Sequence, residues 1–154
     1  MISLPTTEQI ILDCRRELLE VIGPEVHSDF ARVSVQMLEN VLRNAATRAA
    51  HEIAWLRDET LAIEAYARDV LAAFASAVGV AAALAALDAG PRASLHLDDI
   101  VRVYSLAGEA MSCALEAALA EGHVELSERA AALLGARSDT EVQIMGEWGF
   151  VGRG

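Results

Sequence analysis

The sequence predicts an all-α protein, an up-and-down bundle of four main helices with a short fifth helix and an extended C-terminal arm containing glycine and aromatic residues. Hydrophobic residues make up 54% of the 154-residue chain and aromatic residues only 5%, so its apolar content is mostly Ala, Leu and Val. Such a composition favours helices, and apolar residues also recur three and four positions apart. The length suits a single domain, residues 1–154, that buries its own core.

The first helix is predicted over residues 7–22. Thr6 and Gln9 stand at the spacing of a capping box, in which each side chain accepts a hydrogen bond from the other residue's backbone. Gly23-Pro24 is the expected end. Along the helix, apolar residues recur on one side.

Residues 28–88 form either one very long helix or two helices. A helix can begin at Ser28-Asp29, and neither Gly nor Pro follows before Gly79. Helices in globular proteins rarely exceed about 25 residues, so we expect two, with a break at Asp58-Glu59-Thr60. The second half of the later helix, residues 70–87, carries no charge. We therefore expect it to be a central helix covered on nearly all sides.

The remaining chain predicts a fourth helix from Asp98-Asp99 to about residue 121. Its inward side is apolar: Ile100, Val103, Ala107, Ala110, Ala114 and Leu115. Its outward side is polar: Arg102, Ser105, Glu109, Ser112 and Glu116. Ser127 is expected to cap a short fifth helix, residues 128–134, that ends at Gly135. Residues 138–154 are expected to form a non-helical arm.

The charge of the chain limits its partners. The formal net charge is -11, and all 12 basic residues are Arg. We expect no nucleic-acid and no membrane partner, because an acidic surface repels phosphate groups. The N-terminus does not resemble a signal peptide, which predicts a cytoplasmic location. Cys14 and Cys113 are expected to be buried and reduced, and no cofactor is predicted.

One stretch of the second helix raises the question of a metal or ligand site. Asn44, Arg48, His51 and Trp55 share one helical face, and His51-Glu52 begins the zinc-protease motif His-Glu-x-x-His. Trp55 stands where the second histidine would bind the metal, so no metal site is predicted. A ligand site is an alternative. Arg48 could bind a carboxylate or phosphate, or pair with Glu52; His51 could move a proton, and Trp55 could supply an apolar wall.

An association surface is the interpretation that we favour. Trp, Arg, His and Met are enriched at protein interfaces. We expect the interface to contain Phe30, Met37, Trp55, Trp148 and Phe150. The sequence thus predicts a non-enzymatic, self-associating protein with an accessory or scaffolding role, most simply a homodimer. An unidentified protein partner is a further possibility. The alternative is a small-molecule binding protein or small enzyme with its site around Arg48, His51, Glu52 and Trp55, together with Asn44.

Overall fold

The computed structural model describes residues 4–145, and every regular element in this range is helical, which confirms the all-α prediction. The first helix is α-helical in α1 (Thr7–Glu17), π-helical over Leu18–Ile22 and α-helical again in α2 (Gly23–Glu25). The later helices are α3 (Asp29–Ala73), α4 (Val78–Asp88), α5 (Leu97–Ala120) and α6 (Val124–Met145). Within residues 4–145, none is both long and apolar enough to cross a membrane.

The chain divides into two compact units. One contains residues 4–52 and 142–145 of the described chain and is here called the N-terminal unit. The other, Ile53–Glu141, is here called the core unit. The single-domain organisation stays a prediction.

The start of α1 agrees with the prediction, and the end of the first helix does not. The Thr6 hydroxyl accepts a hydrogen bond from the Gln9 backbone N–H at 3.2 Å, and the Gln9 side chain accepts one from Thr6 at 2.8 Å. Gly23-Pro24 was expected to end the helix, which instead continues to Glu25. Pro24 has no N–H to donate, but it is the second-to-last residue of the helix, so no more than one intrahelical hydrogen bond is lost there. Cys14 is exposed, contrary to the prediction that it is buried.

Helix α3 is a single helix of 45 residues, so the predicted break at Asp58-Glu59-Thr60 is wrong. The Thr60 hydroxyl donates to the Leu56 carbonyl at 2.7 Å, one turn back, and so does not cap a new helix. Glu59 is held by side chains of other helices. Both groups are therefore satisfied within a continuous helix.

The break lies instead at residues 74–77, where the sequence has neither Gly nor Pro. A turn forms there, with Ala77 N–H donating to the Phe74 carbonyl at 2.9 Å. Helix α4 then buries one side and exposes the other, which includes Ala81, Ala82, Ala85 and Ala86. The prediction that this segment is covered on nearly all sides is wrong. A methyl side chain has little apolar area, so its exposure to water costs little.

The core unit contains a hydrophobic core built from four helical segments, the end of α3 with α4, α5 and α6. Its largest fully buried side chains are Tyr66, Ile63, Leu87, Val70 and Val80. Alanine fills most of the remainder, with Ala67, Ala83, Ala107, Ala110, Ala114, Ala118 and Ala130 all buried. Small side chains let helix backbones approach closely. A Cβ added at Gly79 of α4 would stand 3.8 Å from Cys113 Sγ of α5.

Helix α5 agrees well with the prediction. It begins next to Asp98-Asp99 and ends at Ala120. Five of the six predicted inward residues are buried and Leu115 is half-buried, while the five residues of the predicted polar side are exposed. Helical periodicity was sufficient here because both faces carry a strong contrast in polarity.

Helix α6 corrects two predictions. The short fifth helix ending at Gly135 is wrong, because α6 runs from Val124 to Met145. Residues 138–145 of the predicted arm are helical, and residues 146–154, with Trp148 and Phe150, lie outside the described residues. The helix begins earlier because the His123 ring accepts from the Leu126 N–H at 3.3 Å. It passes Gly135 because the chain stays attached to the core beyond it: Arg137 donates to Glu59 at 2.5 Å.

Candidate functional site

The predicted ligand-binding residues all lie on α3. Asn44, Arg48, His51 and Glu52 belong to the N-terminal unit, and Trp55 belongs to the core unit. Arg48 and His51 are exposed, whereas Asn44, Glu52 and Trp55 are half-buried. That the five form one ligand site stays a prediction.

Two of these residues neutralise each other. Arg48 Nε donates to Glu52 Oε1 at 2.9 Å, and a second nitrogen of the same guanidinium contacts the same oxygen. The Arg48 side chain is 55% exposed. An ion pair of this kind, four residues apart on a helix surface, contributes only about 0.3–0.5 kcal/mol. Its charges compensate each other locally, which weakens the attraction of this face for an anion.

Asn44 is the one predicted residue with an unusual hydrogen-bonding state. Its Oδ1 is buried and receives no hydrogen bond from the described residues. His51 and Trp55 both take part in side-chain interactions. Among residues 4–145 there is no cluster of three or more His, Cys, Asp or Glu side chains that could hold a metal ion.

The predicted interface residues Phe30 and Met37 belong to a row of exposed apolar side chains on α3. We call this row the apolar seam; it consists of Phe30, Val33, Met37 and Val41, with exposed fractions between 47% and 84%. The residues stand three or four positions apart, so they share one helical face. The seam continues toward Asn44 and Arg48 on the same face, where the helix becomes polar.

The first helix and the residue Leu4 before it add further exposed apolar side chains to the same unit. They are Leu4, Ile10, Leu12, Leu19, Val21 and Ile22. The first helix also contacts α3 directly, since Arg15 binds Glu39 at 2.7 Å. A groove there is lined by Leu19, Val33 and Val35, with Arg32, Gln36 and Glu39.

The balance of burial in the N-terminal unit is unusual. Only Leu18 and Ala46 are buried among its described residues, whereas eleven large hydrophobic residues between positions 4 and 52 are exposed. The sequence identified the seam through its helical spacing. It could not show that this row remains exposed, because that depends on where the first helix lies.

Sequence reasoning missed a group of polar residues in the core unit. A cavity of about 140 Å³ is lined by Arg57, Thr60, Arg92 and Ser94 together with apolar residues. Arg57 and Arg92 lie far apart in the chain, and no spacing rule joins them. The sequence also did not indicate that Glu59 forms a contact between helices. Tyr104 donates a hydrogen bond to Glu59 at 2.9 Å, and burial, more than this bond, raises the pKa of Tyr104 to about 12.

No protein-family model, curated protein or solved structure matches this chain.

Proposed function

We propose that this chain is a non-enzymatic helical protein that self-associates as a homodimer through the apolar seam, in an accessory or scaffolding role. The observation that carries the proposal is the scarcity of buried side chains in the N-terminal unit. Eleven large hydrophobic residues are exposed between positions 4 and 52, and two hydrophobic residues are buried.

Elementary energetics supports a partner for this surface. Ordering a residue costs roughly 1–2 kcal/mol of backbone entropy, and isolated helices are marginal in water without tertiary packing. Burying a fully exposed Val, Met or Phe side chain returns about 1.5–3 kcal/mol. Two fully buried hydrophobic residues contribute little stabilisation of this kind to residues 4–52, so covering the exposed side chains would add to the stability of this unit.

A second copy of the chain fits this surface well. The three-to-four spacing of the seam is the pattern by which helices pack side by side in coiled coils and bundles. A twofold dimer needs a face that is complementary to itself, and an apolar helical row can meet this condition. Residues 1–52 contain eight acidic and five basic residues, a net charge of -3, against -8 from fifteen acidic and seven basic residues in the rest. The charge per residue is similar in the two parts, and the seam itself contains no charged side chain, so repulsion between copies does not oppose pairing there more than elsewhere.

Pairing of two N-terminal units would bring four helical segments together, two from each copy. This is the packing of a four-helix bundle, in which apolar positions of antiparallel helices form a shared core. The up-and-down bundle predicted from the sequence is a different arrangement, formed by four main helices of one chain, and it stays a prediction.

Light scattering coupled to size-exclusion chromatography tests the proposal. We expect a dimer at about 10 µM, because a homodimer with a dissociation constant on the order of 1 µM is mostly dimeric at that concentration. The double variant Met37→Glu with Val41→Glu should weaken the dimer by at least about 100-fold, because association would bury four carboxylates, two per copy, without partners.

A matched control uses the core unit. Leu119 and Val124 are as exposed as Met37 and Val41, and the double variant Leu119→Glu with Val124→Glu should stay dimeric. Circular dichroism of both variants checks that the helices persist. A monomeric wild type at about 100 µM, far above ordinary dissociation constants of homodimers, would refute self-association. Loss of the dimer in the control variant alone would refute the seam as its interface.

A further inference from the structure

The cavity of the core unit joins cationic and apolar walls. It has a volume of about 140 Å³ and lies against α3, the loop before α5, and α5 itself. Its polar lining comes from Arg57, Thr60, Arg92 and Ser94, and its apolar lining from Leu61, Pro91, Ile100 and Val103. A closed cavity of about 150 Å³ accommodates benzene in a protein interior, so this one, which is partly open to solvent, has room for a ring of that size.

The charge beside the cavity is positive. Arg92 and Arg68 form a closed network with Glu64 and Asp88, in which two positive charges meet two negative ones. Arg57 adds a further positive charge, and among residues 4–145 it has no ion-pair or hydrogen-bond partner. The net charge of these five lining and network residues is therefore +1.

Hydrogen-bond donors remain available for an anion. A guanidinium has five N–H groups, and Arg92 directs three contacts to Glu64 and Asp88, which leaves two N–H groups unspent. Ser94 Oγ accepts from the His96 backbone N–H at 3.2 Å, so its own proton can be donated. None of the five Arg57 donors is bound within residues 4–145, and they have the fork geometry that suits a carboxylate.

We propose that this cavity binds a small organic carboxylate. The carboxylate would pair with Arg57 and the unspent donors of Arg92, and the apolar body would lie against Ile100 and Val103, both nearly buried. Inorganic phosphate fits less well, because it has no apolar part to place against these walls. It also has a larger negative charge, so a chain of net charge -11 repels it more strongly. The proposal is independent of self-association, which rests on the other unit.

Isothermal titration with benzoate is the first test. Benzoate has nine heavy atoms and combines a carboxylate with a ring of the size that the cavity admits. We expect a dissociation constant on the order of 0.1–1 mM, which corresponds to ordinary binding efficiency for a ligand of this size. Benzyl alcohol, which has a similar shape without the charge, should bind at least about tenfold more weakly. No detectable heat at about 10 mM benzoate would overturn the proposal.

Three variants locate the binding. Arg57→Gln should weaken benzoate binding at least about tenfold, because it removes the uncompensated charge. Ser94→Leu should abolish binding by filling the cavity while it leaves both arginines in place. Arg102→Gln is the control: Arg102 pairs with Asp99 on α5 and does not line the cavity, so binding should be unchanged. Equal affinity in wild type and Arg57→Gln, or equal binding of benzoate and benzyl alcohol, would refute recognition of a carboxylate here.

Discussion

Glu64 is a single carboxylate that binds two arginine side chains of the core unit. Its carboxylate receives hydrogen bonds from Arg68, at 2.7 and 3.0 Å, and from Arg92, at 3.1 Å and through a further contact. The hydrogen bond from Arg92 is the largest cause that lowers the pKa of Glu64 below its ordinary value of 4.5, and burial opposes it. Arginine can serve two carboxylates at once because its donors are spread over a planar fork.

Substitution of Glu64 should reduce the stability of the core unit. We expect Glu64→Gln to lower the free energy of unfolding by roughly 1–3 kcal/mol near neutral pH, because Arg68 and Arg92 lose the negative charge and one of the two oxygens that they bind. Because the pKa of Glu64 is lowered in the folded state, its carboxylate stabilises the fold at a pH above 4.5. This contribution is lost as the pH falls through the folded-state pKa. Urea unfolding should therefore show that the free energy of unfolding of the wild type decreases as the pH is lowered below 4.5. In Glu64→Gln this decrease with pH should be smaller.

Asp69 supplies the comparison for Glu64. It binds Arg129 at 2.7 Å, but both side chains are about half exposed. Solvent screens such a pair, and Asp69→Asn should cost no more than about 0.5–1 kcal/mol. Equal losses in the two variants would show that the network around Glu64 has no special role.

Which residue pairs could be predicted depends on their separation in the chain. The Arg48–Glu52 pair follows from the i,i+4 geometry of a helix, and the sequence alone suggested it. The contacts Arg92–Glu64 and Arg137–Glu59 join residues 28 and 78 positions apart. These contacts depend on how the helices pack against one another, which the spacing of Arg and Glu in the sequence does not predict. The cavity arginines escaped prediction for the same reason.

At the scale of elements, glycine marked the ends of helices poorly. Gly122 does form a turn, with a φ of +62°, whereas Gly135 lies inside α6. A left-handed φ strains any residue with a Cβ, and an interior helical position does not. The residue type is the same, and the local backbone decides what it does.

Alanine substitution at these two glycines should have opposite effects. A Cβ at Gly135 would meet nothing within 4 Å, so Gly135→Ala should stabilise the core unit by about 0.5–1 kcal/mol through the higher helix propensity of alanine. Gly122→Ala, also sterically open, should destabilise it by roughly 1–2 kcal/mol because of its φ. Thermal unfolding of the two variants measures both. A destabilising Gly135→Ala would mean that residues near 135 are not a regular helix.

The helices predicted best are those whose ends are set by local chemistry. The capping box of Thr6 and Gln9 fixed the start of α1, and the acidic first turn of α5 marked its start. The length of α3 and the turn at residues 74–77 could not be foreseen. An alanine-rich segment has high helix propensity throughout, so its interruption reflects tertiary packing, including the edge-on contact of Phe74 and His123 at 5.8 Å.

At the scale of the whole chain, the two units differ in what holds them together. Apart from Leu18 and Ala46, every buried hydrophobic residue among residues 4–145 lies between Ile63 and Ala130. The core unit therefore has a hydrophobic core of its own. The N-terminal unit has helix propensity, a few ion pairs and an uncovered apolar face. If a second copy supplies its missing core, its stability must depend on protein concentration.

Hydrogen exchange of the intact chain measures this dependence unit by unit. Above the dissociation constant, the monomer fraction varies with the inverse square root of concentration, so dilution from about 100 µM to about 1 µM should accelerate exchange in residues 4–52 roughly tenfold. Amides between Ile63 and Leu87, in the core unit, should exchange at the same rate at both concentrations. The Met37→Glu, Val41→Glu variant should show fast exchange in residues 4–52 even at the higher concentration. Protection of this unit that is strong and independent of concentration would mean that it is stable without a partner, and the dimer would then lose its physical rationale.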